Sequence, residues 1–367
     1  SVDPYNGMQV HSETDIGYPS PSLISLRRNY KSDNTSIGQF GRGTSSDYDH
    51  YLQGSGNALT HITSETGRYI LSKNADGSYT NTQYPFLKET KAYINGDNTR
   101  TLKFKDGSSY TFDTSGRLVK QTDINGNFLS ITRDSLGNIT AVSDSTGRTL
   151  YIRNRTITIG LSIYTVISSI MDSSGRTVTY TYDTSARLTS VTNPDGEKTT
   201  YTYDSGGRLT SITNPRNIIE EKIEYDSQGR VSRQINADTG EYLFYYFSPS
   251  TPVRVQDSPS PISSSCRPQF VREGEQAGPN TCGIIYLNIP TSQVVPQGST
   301  ATTTIAQTVA IYPNKSSKTL RFNSQGYLLS ETDGQGGQTT YERQTSTNQL
   351  LSVTDNGGRK TSYTYDT

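Results

Sequence analysis

The sequence predicts an all-β protein built from repeated β-hairpins, on three observations. The first is self-similarity: Tyr182-Asp183-Thr184-Ser185-Ala186-Arg187-Leu188 returns as Tyr203-Asp204-Ser205-Gly206-Gly207-Arg208-Leu209, with Asp183 and Asp204 21 residues apart. A phrase copied at fixed spacing marks one supersecondary unit repeated along a chain. The second is alternation. In Thr199-Thr200-Tyr201-Thr202-Tyr203 the tyrosines share one face of a strand and Thr200 and Thr202 the other. The third is turn chemistry: in Asn193-Pro194-Asp195-Gly196, Pro presets φ for a type I turn and Gly accepts the positive φ of a G1 bulge. No sustained 3.6-residue periodicity competes with this pattern.

The heptapeptide resembles the YD repeat of the Rhs family, Tyr-Asp-x-x-Gly-Arg-Leu, met in full at Tyr203 to Leu209 and with Ala186 in place of Gly at Tyr182 to Leu188. Other copies are worn. Phe112 to Leu118 has Phe for Tyr, Asp134 to Ile139 keeps only the turn, and Tyr225-Asp226-Ser227-Gln228-Gly229-Arg230-Val231 is nearly complete. Phe322 to Leu328 is degraded, and Tyr365-Asp366 begins a copy that the sequence does not finish. The resemblance covers roughly residues 100–247 and 315–367. It implies a long spiralling β-sheet, as part of a cocoon-like shell or an open β-solenoid.

Composition agrees with a polar sheet protein. Of 367 residues 30% are apolar, mean hydropathy is −0.67, Trp is absent and Tyr reaches 26. Disorder ordinarily combines low hydrophobicity with few aromatics and high net charge; here 34 basic and 34 acidic residues cancel. Thr and Tyr suit pleated sheets. Neutrality leaves no electrostatic footprint for nucleic acid or anionic lipid, and no apolar run is long enough to span a bilayer. The sequence starts at Ser1 with no visible leader, so an export signal is expected to be absent or already removed.

In chain order, residues 1–100 are expected to form an Rhs-type N-terminal β-domain. The matching residues are Gly7, Thr14-Asp15, Leu26 to Ser32 and Phe40-Gly41-Arg42-Gly43, with Thr44 where the family commonly has Trp. Ile24 and Leu26 alternate with Ser25 and Arg27, which predicts a strand; residues 31–47 read as turn or low-complexity linker. Tyr69-Ile70-Leu71, Asn74-Ala75-Asp76-Gly77, Thr101 to Phe104 and Lys105-Asp106-Gly107-Ser108 continue the hairpin signals. Residues 101–247 carry the YD-repeat sheet, whose register stretches between Arg148 and Asp172 around the runs Thr156 to Ile159 and Ser162 to Ile167. Residues 248–314, with Pro/Ser-rich segments at 248–252 and 258–261 and a strand-like run at 302–305, form an excursion from one face. Residues 315–367 resume the repeats, truncated.

Candidate sites are few. His11, His50 and His61 lack metal-ligand spacing, and no nucleophile elbow or Walker loop occurs. Asp123-Ile124-Asn125-Gly126 lacks the ligands of a calcium loop. Cys266 and Cys282 are the disulfide candidate, closing a loop within the excursion in an exported protein; in a reducing compartment they are two thiols. Residues repeated once per unit are structural before they are catalytic. Asp183, Asp204 and Asp226 are expected to accept turn N–H groups. Arg187, Arg208 and Arg230 are expected to pair with a carboxylate or lie over a neighbouring tyrosine. Tyr182, Tyr203, Tyr225, Leu188, Leu209, Gly207 and Gly229 complete the structural set, with the tyrosines packing between hairpins or, alternatively, stacking on glycans.

The resemblance implies a non-enzymatic scaffold with no cofactor. It would be the N-terminal part of a shell that encloses a C-terminal toxin polypeptide, released in the family at an aspartyl site near the shell's end; Asp3-Pro4 is at the wrong end to be that site. The alternative is an extracellular structural or adhesive repeat protein, possibly a fibre. Expected partners are the toxin polypeptide or further YD repeats of the same chain, then self-association through open strand edges, then a cell-surface glycan. The expected location is secreted or on the bacterial cell surface.

Overall fold

Tight hairpins need a residue with positive φ at the turn, and the chain supplies one at the end of nearly every strand, most often glycine. The computed structural model describes residues 1–18, 24–65, 67–247, 253–257, 267–272, 281–287, 306–314 and 316–365. It divides into two units, Val10–Ile218 and Ser1–Gln9 with Ile219–Thr367. Among the described residues the only helix is the short 3-10 turn Pro85–Leu87, so the protein is all-β.

In the unit Val10–Ile218, sixteen strands from Tyr51–Ser55 to Leu209–Thr213 each pair antiparallel with the next. Alternation places Leu59, Leu71, Leu102, Phe112, Leu118, Ile139 and Leu150 in full burial, each worth roughly 1.5–3 kcal/mol. The stretched region is a single long hairpin, Thr149–Ile159 with Ser162–Asp172, paired along its whole length across a Gly160-Leu161 connection. Its β-branched run extends pairing beyond the short strands elsewhere.

The N-terminal part of this unit forms a separate three-stranded sheet, Val10–Gly17, Ser25–Lys31 and Thr44–Ser46. Ile24 and Leu26 are buried as their alternation predicts. Residues 31–47 are not linker. They hold the small hairpin Ile37–Gly38 with Gly41–Arg42, whose Phe40 ring is fully buried 5.2 Å from the Tyr180 ring.

In the other unit, nine strands make an antiparallel sheet, starting with Ile219–Tyr225, Val231–Asn236 and Glu241–Phe247 and continuing from Gln307–Ile311 to Lys360–Ser362. Glu241–Phe247 pairs directly with Gln307–Ile311, so the intervening chain leaves and returns between neighbouring strands. The sheet thus resumes at Gln307, ahead of the boundary at 314 drawn from the sequence. Within that interval Val253–Asp257, Thr281–Leu287 and Arg267–Arg272 form their own sheet, its last pair parallel. Cys266, segments 248–252 and 258–261, run 302–305 and Asp366 lie outside the described residues. The side chain of Cys282 does too, so the Cys266–Cys282 pairing stays an expectation. Residues 1–9 fold back on this unit: the Gly7 carbonyl accepts the Val231 N–H at 2.7 Å, and the Tyr5 ring meets Phe322 edge-on at 5.6 Å.

Two glycines of the first unit separate conformational strain from close approach. Gly41 (φ +87°) lies where a Cβ would sit 2.3 Å from the Ala186 carbonyl oxygen, whereas at Gly207 (φ +83°) the nearest atom is 3.7 Å away. Gly207→Ala is expected to cost about 1–2 kcal/mol, the left-handed penalty alone. Gly41→Ala should cost clearly more, because backbone must move. Denaturant midpoints of the two variants check the order.

Candidate functional site: the repeated turn

At each complete copy the Asp closes a turn in two ways. Its N–H donates to the carbonyl of the Arg four residues on, at 3.0 Å (Asp183), 2.9 Å (Asp204) and 2.8 Å (Asp226), while the N–H of Ala186, Gly207 or Gly229 donates back to the Asp carbonyl. Its carboxylate then takes the remaining donors. Oδ1 accepts the backbone N–H of Arg187, Arg208 and Arg230 at 2.8–2.9 Å. Oδ2 accepts the guanidinium Nε of the same arginines at 2.6, 2.8 and 2.8 Å. Asp and Arg of one phrase are therefore partners. Burial alone would raise the pKa of Asp204, but hydrogen bonds from the Arg208 backbone and side chain outweigh it and hold the carboxyl below its ordinary range. A carboxylate so occupied is a poor general base.

Next to the turn the ladder slips by one residue. Thr181 faces Ser190 but Tyr182 faces Leu188, and the same bulge recurs where Tyr203 faces Leu209 and Tyr225 faces Val231. A bulge leaves backbone groups outside the ladder, and here the next repeat supplies a donor. The hydroxyl of Tyr203 donates to the Leu188 carbonyl at 2.8 Å. Tyr182 does the same to Ile167 at 2.8 Å, Tyr246 to Val231 at 2.7 Å and Tyr365 to Leu350 at 2.7 Å, always fifteen residues back. Where tyrosine is missing another donor takes the position: Arg133 reaches the Leu118 carbonyl, Asn154 that of Ile139 and Arg343 that of Leu328.

Arginines add a second link between copies. The Arg187 guanidinium lies 5.4 Å from the centre of the Tyr203 ring and donates to the Asp204 carbonyl at 3.1 Å. That of Arg230 lies 4.8 Å from the Tyr246 ring. Burial raises the pKa of Tyr182, Tyr203 and Tyr246 well above the ordinary phenol range, so the hydroxyls stay protonated as donors. Tyr180, Tyr182 and Tyr201 are buried, which leaves these rings no face for a sugar. Tyr203 is half-buried, so its hydroxyl matters beside its packing.

A buried ion pair, absent from the candidate residues read from sequence, fastens the N-terminal sheet to the repeats. Arg28 donates to both carboxylate oxygens of Asp15 at 2.6 and 2.8 Å, with the two side chains only 4% and 2% exposed. Tyr180 donates to the same carboxylate at 2.8 Å, and Arg28 also donates to the Tyr201 hydroxyl at 3.2 Å. Desolvation works against the Arg28 charge, but Asp15 more than restores it and raises the pKa. Nothing in the spacing of Asp15 and Arg28 marks them as partners; Tyr180 and Tyr201, one repeat apart and on one strand face, were the available signal.

The repeated residues do not converge on one another to make a catalytic constellation. Each Asp–Arg pair serves its own turn. His50 and His61 are in contact, whereas His11 packs against Tyr201. Among the described residues no group of three or more His, Cys, Asp or Glu is placed to hold a metal ion.

The two kinds of ion pair should separate on substitution. Asp15→Ala strands a buried guanidinium and is expected to cost about 3–5 kcal/mol. Asp204→Asn keeps an acceptor and loses a partly exposed charge pair, for a cost below about 1 kcal/mol. Because the pKa of Asp204 is depressed, its contribution is present above the unfolded value near pH 4 and fades only below it. Urea titrations at pH 7 and pH 3 measure both effects.

With the geometry in hand, comparison with known proteins is specific in one respect. The family model described as RHS Repeat matches residues 108–149, 167–196 and 187–218. A model described as a domain of unknown function (DUF6531) matches residues 1–71. No curated protein matches. Similar solved structures include the Photorhabdus luminescens Tc holotoxin pore, 10% identical, with 98% of this chain and 22% of that chain covered at a TM-score of 0.34. Two crystal structures of TcdB2–TccC3 are 10% and 11% identical at TM-scores of 0.31, covering 90% and 98% of this chain and 19% and 22% of theirs. The chain spans about a fifth of the length of these structures. The repeat model thus matches the segment whose turns, clamps and tyrosine bonds recur, and residues 108–149 and 167–218 are RHS repeats, the YD repeats of the sequence.

Proposed function

We propose that the chain is a non-enzymatic scaffold, the N-terminal part of a secreted or cell-surface shell that encloses a C-terminal toxin polypeptide. One observation carries this reading: the polar residues repeated most regularly are consumed in holding the sheet together. Asp183, Asp204 and Asp226 are saturated by their own turns, Arg187, Arg208 and Arg230 by those carboxylates, and Tyr182 and Tyr203 by carbonyls of the preceding copy. A protein that invests its repeated chemistry in continuity of one sheet is suited to building a wall. The RHS repeats at 108–149 and 167–218 support the same reading, since the enclosing role is what the YD phrase implies. The N-terminal sheet, tied to that wall by Asp15 and Arg28, then acts as a fixed part of it.

The test is protection. The natural reading frame is expressed whole and treated with trypsin, alongside its C-terminal segment fused to an unrelated carrier. The proposal expects that segment to survive at least tenfold longer within the natural chain. Equal digestion in the two settings would contradict it.

A further inference from the structure

Where the N-terminal sheet hands over to the repeat sheet, two histidines meet. His50 precedes the strand Tyr51–Ser55, and His61 lies on the neighbouring strand Ala58–Ile62. Their rings stack at 5.5 Å with 21° between planes, and His50 Nδ1 is 3.3 Å from His61 Nε2. His61 is 4% exposed and its Nδ1 has no hydrogen-bond partner. Aromatic rings wall the pair, Tyr110 against His50 at 5.3 Å and Phe112 against His61 at 6.3 Å. The same segment plugs a repeated turn: Leu118 N–H donates to the His50 carbonyl at 3.1 Å, and Leu52 N–H donates to the Gly116 carbonyl at 2.8 Å.

We propose that the stacked His50–His61 pair is an acid-sensitive latch, which holds the segment around residues 50–52 on the turn at 113–118 while the rings are neutral and releases it when both are protonated. Two neutral imidazoles share one proton across 3.3 Å. Two imidazolium rings would bring N–H against N–H at that distance, with a second N–H of His61 facing no acceptor. Burial pushes the pKa of His50 down to about 3, with the charge of His61 adding to the effect, and burial pushes His61 down to about 4, both from 6.5.

The surrounding charges do not supply an anion to the pair. Asp47 and Asp106 act on the Tyr110 hydroxyl, and Asp47 is also bonded by the Asn29 amide. Asp49 accepts the Ser46 N–H and feels Arg133, while Arg117 and Arg133 act on Tyr51. Asp49 works in the opposite sense: burial raises its pKa, so the closed state holds its proton more tightly and gains as pH falls. That is one proton against two. For the histidines, the folded pKa lies below the released value, so the closed state is fully favoured above pH 6.5 and loses ground as pH falls toward 4.

Hydrogen exchange of the full chain, read at the Leu52 and Leu118 amides and corrected for intrinsic rates, tests this. Two groups released to ordinary values should increase opening about a hundredfold between pH 7.5 and pH 5.5. The Ile167 amide, bonded to the Gln39 carbonyl and in a strand without histidine, should keep its protection. His50→Gln with His61→Gln should abolish the pH dependence, and each single change should leave about tenfold. Unchanged protection at Leu52 and Leu118 would overturn the latch, and so would parallel loss at Ile167, which is global acid unfolding. Should the variants fail to fold, NMR titration of the unaltered chain decides: rings neutral below pH 5 support the latch, and rings titrating near 6.5 overturn it.

Discussion

A carbonyl left out of the ladder at a β-bulge must find a donor, and in this protein that need binds one repeat to the next. The hairpin at each YD phrase carries a bulge, because its turn holds one residue more than simple pairing allows. The freed groups sit where water is scarce, and a buried carbonyl without a partner costs about 1–3 kcal/mol. The tyrosine of the following copy, fifteen residues on, closes the account with its hydroxyl. The YD phrase is thus two devices in sequence order: a hook onto the previous copy, then an Asp–Arg clamp that fixes its own turn. Stability in such an array is local in origin but passed from neighbour to neighbour.

The same turns explain where other segments attach. A bulged turn offers an N–H and a carbonyl sideways, and N-terminal residues take them up. Within the unit Val10–Ile218, Arg42 N–H bonds the Ala186 carbonyl at 2.7 Å and the Leu209 N–H bonds the Tyr30 hydroxyl at 2.8 Å. Leu52 and His50 serve the turn at 113–118 in the same way. Ala186 shows how demanding this geometry is. It holds a positive φ of 58° without being glycine, fully buried, with Gly41 pressed against its carbonyl. The methyl group is held in a conformation that usually excludes it, at the turn position that Gly207 and Gly229 fill, also with positive φ, in the following copies.

Much of this was legible in the residues. The 21-residue period, the alternation at Tyr201 and Tyr203 and the Asn193 to Gly196 turn lead directly to hairpins, since each depends on chemistry within a few residues. The Asp and Arg positions were legible as structural parts, and their mutual pairing as one of two options. The tyrosine hydroxyl bond was not, because it joins residues that only the bulge brings into register; the substitutes Arg133, Asn154 and Arg343 at the same position carried the clue that a donor is required. The Asp15–Arg28 pair was hidden for a different reason. Its members lie thirteen residues apart on two strands, and only docking against Tyr180 and Tyr201 removes them from water. The stretch at 31–47, rich in Gly and Ser, looked like a connection because small residues mark close backbone approach and linkers alike.

The most direct test of the tyrosine hook is to exchange its donor. Tyr203→Arg and Tyr203→Leu are compared with the unaltered chain by denaturant midpoint at pH 7. Arginine keeps a donor for the Leu188 carbonyl, as Arg133 and Arg343 do elsewhere, so its loss should stay near 1 kcal/mol; leucine is smaller, has no donor and strands the carbonyl, for a loss of about 2–3 kcal/mol. If arginine proves as destabilising as leucine, or leucine is harmless, the carbonyl needs no partner and the link between repeats lies elsewhere.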